Sequence, residues 1–162
     1  MYTLRCTQRL RRRLPLKVTS APPAPTTKLG DWYANVLFVR HQHLVLCTSE
    51  RSLLSVIVPA KDPAQLPVRL RDGVRSLLLA LGLPPAPVHA EIDEMAQLLV
   101  SKTANRSLLG TMNDIVHHCR WHGANRATFD IRALEFELAE MPALTREFAF
   151  PREEAARLLG AA

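Results

Sequence analysis

The chain has 162 residues, of which 48% are hydrophobic, 22% charged and 6% aromatic, and it carries a formal net charge of +6. Those fractions exclude disordered and fibrous classes, and the length suits one domain of roughly 150 residues. Cys6, Cys47 and Cys119 are widely spaced and form no C-x-x-C pair, which argues against a disulfide framework or a cysteine zinc site, and no apolar run approaches the roughly 18 residues of a membrane span.

The charge excess sits at one end. Residues 1–20 hold Arg5, Arg9, Arg11, Arg12, Arg13 and Lys17 with no acid, and basic and acidic side chains balance over the remainder. Tyr2 to Cys6 reads as a short strand leading into a basic helix that ends before Pro15, with Cys6, Leu10 and Leu14 as its apolar stripe. An Arg-rich, acid-free start is also the compositional signature of a mitochondrial presequence. Residues 21–27 form a stiff, polyproline-like loop.

From Asp31 the period becomes that of strands. Trp32, Ala34, Val36 and Phe38 lie on one face, and Tyr33, Asn35, Leu37 and Val39 on the other. Arg40 to His43 reads as a turn, Leu44 to Thr48 as a second strand and Leu53 to Val58 as a third, which predicts an antiparallel meander.

Helical spacing follows. Asp62-Pro63 marks a capped start that Pro67 delays by a turn. Leu70, Val74, Leu77, Leu78 and Leu81 then form a stripe ended by Gly82 and Pro84. Residues 84–88 read as a proline-rich connector. Ile92, Met95, Ala96 and Leu99 fit a short helix, while Leu98 to Val100 fits a strand equally well. A helix from about Ser107 to His122 stops at Gly123. Ile131, Leu134, Leu138 and Met141 form another apolar face, and Pro151-Arg152-Glu153-Glu154 opens a terminal helix with acids in its first turn. Together these elements predict a single α+β domain over 1–162, with a small, mainly antiparallel sheet packed by several helices.

Chemistry-bearing residues concentrate on the helix from Ser107. Arg106, Gly110, Asp114, His117 and Trp121 recur at steps of three or four, with Asn113 beside them, so basic, acidic, imidazole and indole groups share one face. The competing reading is an ordinary solvated face. Asp114, His118 and His122 share a spacing of four, but about 12 Å separates the first from the last, too far for one ion to touch all three. No metal or cofactor site is therefore assigned. Arg5 next to Cys6 would favour a thiolate, whereas a buried strand cysteine would stay protonated. The Arg9 to Arg13 run suits phosphate neutralisation, against the alternative of a solvated helix face.

Four segments carry a resemblance: Arg5-Cys6-Thr7, Leu29-Gly30-Asp31-Trp32-Tyr33-Ala34-Asn35, Glu50-Arg51-Ser52-Leu53, and the run from Thr103 to Asp114. Together they resemble an uncharacterised bacterial domain family of unknown function over residues 4 to about 122. The resemblance implies a cytoplasmic protein whose basic start belongs to the fold. Asp31, Tyr33, Asn35, Arg106, Asn113 and Asp114 are costly to bury unless mutually bonded, so they are expected to converge, with Arg106 pairing Asp31 or Asp114. Such a network would be either a site or a clasp between sheet and helix.

The leading expectation is a non-enzymatic binding or regulatory protein that contacts nucleic acid or an acidic protein partner, without a membrane. Its binding residues would be Arg5, Arg9, Arg11, Arg12, Arg13, Asp31, Tyr33, Asn35, Arg106, Asn113, Asp114 and Trp121. The alternative is a small hydrolase or nuclease using Asp114, His117 and Arg106. Between 129 and 162 acids outnumber bases by seven to four, so the C-terminal helices are expected to neutralise part of the basic start.

Overall fold

Along Tyr2–Cys6 (β1), Tyr2, Leu4 and Cys6 alternate with Thr3 and Arg5, and every one except Arg5 is buried. Burial on both faces marks an interior strand. The computed structural model, which describes residues 1–142 and 149–161, places β1 between Trp32–Val39 (β2) and Leu98–Lys102 (β5), parallel to both. Gln42–Ser49 (β3) and Ser55–Pro59 (β4) complete a five-stranded sheet in the order β4-β3-β2-β1-β5.

The expected antiparallel meander is present as β2-β3-β4, but β1 pairs in parallel with β2 and β5, so the sheet as a whole is mixed rather than mainly antiparallel. The expectation failed where the apolar run Leu98 to Val100 is too short for periodicity to separate strand from helix. Parallel pairing also leaves no hairpin signal, because its partners are joined by long crossovers.

Helices cover both faces. Leu66–Ala80 (α2), Pro85–Glu94 (α3) and Pro151–Leu159 (α6) pack on the face carrying Trp32, Ala34, Val36, Val45, Cys47 and Val56. Arg106–Asn125 (α4) and Ile131–Ala139 (α5) pack on the face carrying Tyr33, Leu37, Leu46 and Ile57. From α4 come Leu108, Met112, Val116 and Cys119, each buried side chain of leucine or methionine size contributing roughly 1.5–3 kcal/mol.

Local details differ from expectation for identifiable reasons. The basic helix is a single turn, Gln8–Arg11 (α1), because Cys6 belongs to β1; Leu10 and Leu14 still bury against the core. Asp62 makes no side-chain cap, and a short 3-10 turn at Pro63–Gln65 precedes α2, which starts with Pro67 near its N-terminus. The expected 84–88 connector is the start of α3. Its prolines fall in a first turn, where the missing N–H has no helical partner to lose. Gly123 does not end α4 but lies inside it, buried against Val39.

Candidate functional site

The four sequence segments quoted above meet around the first half of β2. Parallel register sets Arg5 opposite Tyr33 and Leu4 opposite Trp32. Arg5 Nε donates to Asp31 Oδ2 at 2.8 Å, and the Thr3 N–H donates to Asp31 Oδ1 at 2.9 Å. Asp31 is 1% exposed, so both carboxylate oxygens are used inside the protein. One strand turn further, Thr7 Oγ1 donates to Asn35 Oδ1 at 3.0 Å.

The Glu50-to-Leu53 turn closes over this group. The Glu50 N–H donates to the Asp31 carbonyl at 2.8 Å, and Ser49 Oγ donates to the Leu29 carbonyl at 2.8 Å. Burial raises the Tyr33 hydroxyl above its ordinary pKa and the Glu50 charge adds to this; Arg5 and the Asn105 and Ala104 N–H groups oppose it. Asn105 itself caps α4, its Oδ1 accepting from the Leu108 N–H at 3.0 Å. The start of α4, two parallel strands and the turn after β3 are thus joined through one buried polar group.

This geometry corrects the expected pairing. Arg5, not Arg106, neutralises Asp31. Arg106, Asn113, Asp114 and His117 are all exposed along α4, and among the described residues none makes a hydrogen bond or ion pair with another side chain. Of the expected network, Asp31, Tyr33 and Asn35 converge with Arg5; the three α4 residues do not join them. Trp121 shares their outward face and is 55% exposed.

The basic start forms a separate surface. Arg9, Arg12, Arg13 and Lys17 are exposed and Arg11 is half-buried. The Arg9 guanidinium lies 4.8 Å from the centre of the Phe38 ring, a cation–π contact that fixes its direction. Gln8, Arg11, Arg12 and Val18 line an open depression of about 270 Å³. Among the described residues no acid pairs with Arg9, Arg11, Arg12, Arg13 or Lys17. The expected neutralisation by the C-terminal helices is not seen. There Glu135 pairs with Arg132, Glu137 with His118, His122 and Arg126, Glu140 with Arg152, and Glu154 with Arg157.

The thiols also settle one way. Cys6, Cys47 and Cys119 are fully buried and free; burial pushes Cys6 and Cys119 up to about 12 and Cys47 well above its ordinary value. Arg5 points to Asp31 rather than activating Cys6. Among the described residues, no group of three or more His, Cys, Asp or Glu is arranged to hold a metal ion, and no helix is long and apolar enough to cross a membrane.

A family model, Domain of unknown function (DUF6933), matches residues 3–154. The chain belongs to this family. The DUF6933 match runs from β1 into α6, so the basic start and the polar group around Asp31 both fall within the domain. No curated protein matches the chain.

Three acids that the sequence reading passed over tie elements together in this DUF6933 fold, Glu91 and Glu135 from buried positions and Glu137 from a half-buried one. Glu91 on α3 accepts the Lys28 and Leu29 N–H groups at 2.8 and 2.9 Å and so anchors the loop entering β2. Glu135 on α5 accepts the Ile57 N–H of the edge strand β4 at 2.8 Å. Glu137 draws His118 and His122 together at 3.0 and 3.5 Å. The first two share a readable signal, an acid on a helix adjacent to its apolar stripe. Nothing in the spacing reveals their backbone partners.

Proposed function

We propose that this DUF6933 domain is a non-enzymatic binding module whose basic N-terminal segment takes the phosphates of a nucleic acid. The observation that carries this reading is the exposed Arg9, Arg12 and Arg13 group, which has no acidic partner among the described residues, while the C-terminal acids Glu137, Glu140 and Glu154 pair with Arg126, Arg152 and Arg157 instead. Guanidinium groups on a short helix and its following turn suit phosphate oxygens, which they meet with paired N–H donors. Arg5 is not part of that surface, because its Nε is held by Asp31. Hydrolysis through Arg106, Asp114 and His117 lacks comparable support: the three are exposed on one helix without a partner to position them. Three free, buried thiols support a reducing, cytoplasmic setting.

The test is anisotropy of labelled oligonucleotides at increasing salt. With three to four phosphates neutralised, log affinity should fall against log salt with a slope of about −3 for duplex DNA. Charge reversal at Arg12 and Arg13 should remove binding without altering thermal stability. Absence of any retention at low salt, or equal retention by the reversed variant, overturns the reading.

A further inference from the structure

Of the two tryptophans, Trp32 is wholly buried in the core, whereas Trp121 is 55% exposed on the outer face of α4. Its position opposite Gly123, which faces Val39, turns the indole away from the sheet. An exposed indole of this size leaves a large apolar face in water, and its surroundings select what could cover it. His117 and Arg120 are exposed beside it, and the His118 ring lies 6.3 Å away at a tilt of 31°. Asn125 Nδ2 donates to the Trp121 carbonyl at 2.8 Å.

A helix C-terminus normally repels an anion, because its last carbonyls point outward. Here Arg40 removes that obstacle. Its guanidinium donates to the carbonyls of Gly123, Arg126 and Ala127, the last at 3.2 Å, so a full positive charge caps the end of α4. Arg40 and His41 form the turn between β2 and β3, both at positive φ, 47° and 65°. Just below the turn, the Phe38 and His43 rings meet edge-on at 4.7 Å, and Phe38 carries Arg9. Cationic and aromatic groups therefore continue around the end of the β2–β3 hairpin, from Arg9 on one face of the sheet to Arg126 and Trp121 on the other. Of the acids nearby, Glu137 is held by His118, His122 and Arg126, and Asp114 is exposed on the same face two helical turns before Trp121, at the far side of His117.

We infer that Trp121 is a stacking platform for an unpaired base, and that the nucleic acid taken by this domain is single-stranded. The inference rests on the nucleic-acid reading above and adds the strand class. Stacking needs an accessible base face, which a duplex encloses; a cationic border around an aromatic platform is the arrangement by which single strands are held without reading their sequence. The phosphates are met by the exposed Arg120 near the platform and by Arg9, Arg12 and Arg13 beyond the hairpin, while Arg40, whose donors are taken by the carbonyls of α4, and Arg126, which shares Glu137, contribute positive field rather than contacts.

Because Trp32 is shielded, the intact protein reports on Trp121 by its own emission. Short oligothymidylate, oligouridylate and a duplex of equal length are titrated into wild type, Trp121→Ala and the Arg12/Arg13 charge-reversed variant, with anisotropy recorded in parallel. Single strands should quench wild-type emission, and Trp121→Ala should weaken them roughly 5- to 150-fold while leaving duplex affinity unchanged. Circular dichroism checks that Trp121→Ala folds, as an exposed position allows. Single strands that bind without quenching, or that bind Trp121→Ala as they bind wild type, overturn this inference and leave the nucleic-acid reading standing. No binding of any oligonucleotide to wild type overturns both.

Discussion

Arg5 and Asp31 form the one ion pair among the described residues that ties the basic start of the chain to a buried acid: Nε to Oδ2 at 2.8 Å, with the carboxylate 1% and the arginine side chain 18% exposed. Asp31 also takes the Thr3 N–H. Asp31→Ala would leave a mostly buried guanidinium and a strand N–H without partners, a change that costs about 3–5 kcal/mol. Asp31→Asn keeps an acceptor and should cost less. Urea unfolding checks both, and a loss within about 1 kcal/mol for the alanine variant would show that the pair is not what joins β1 to β2.

How much of this was readable beforehand depends on the range of the interaction. The stripe of α2 and the alternation of β2 were legible, since each is set by neighbours within one element. Asp31, Tyr33 and Asn35 were also legible as polar groups needing partners. The partner was not, because Arg5 reaches Asp31 only through the parallel register of β1 on β2, which leaves no local trace. Arg106 looked equally suitable by charge, yet α4 turns it outward. Gly123 resembled a helix stop because glycine commonly is one; its actual role, allowing α4 to approach Val39, exists only once helix and sheet are packed.

Glu135 gives the fold a pH dependence. It is 4% exposed, and burial raises its pKa to about 7, the Ile57 N–H and Arg132 opposing the rise only in part. Between the unfolded value of 4.5 and about 7 the folded state keeps a proton that the unfolded chain has released, so stability falls as pH rises through that window and levels off above it. The full contribution is up to about 3 kcal/mol. Glu135→Gln retains an acceptor for Ile57 and removes the charge. Its stability relative to wild type should therefore improve from about pH 5 to about pH 8. A difference that stays constant over that range would assign the pH dependence elsewhere.

The three thiols should be silent in the native protein. Cys6, Cys47 and Cys119 have no exposed surface, and burial favours the protonated form at each. Since the thiolate is the reactive species, a disulfide reagent such as DTNB should modify none of them until the domain unfolds, and then all three. Rapid native-state reaction at any one would contradict the packing around it, and for Cys119 would point to opening of α4.

Gly123→Ala sets two opposing effects against each other. Alanine is favoured over glycine in a helix interior by about 1 kcal/mol. The added Cβ, however, would overlap Val39 Cγ1 and lie 3.6 Å from Val39 Cβ, within the packed contact between α4 and β2. Overpacking of this kind costs about 1–3 kcal/mol, and a β-branched side chain on a buried strand has little room to give, so the clash should win and the variant should unfold earlier in urea. Val39→Ala alone loses buried surface and is also destabilising. Combined, the two substitutions exchange volume across the same contact, and the double variant should be more stable than the sum of the single losses. Strict additivity would mean that α4 shifts to relieve the overlap, and the fluorescence of Trp121, two residues away on the same helix, would register that shift.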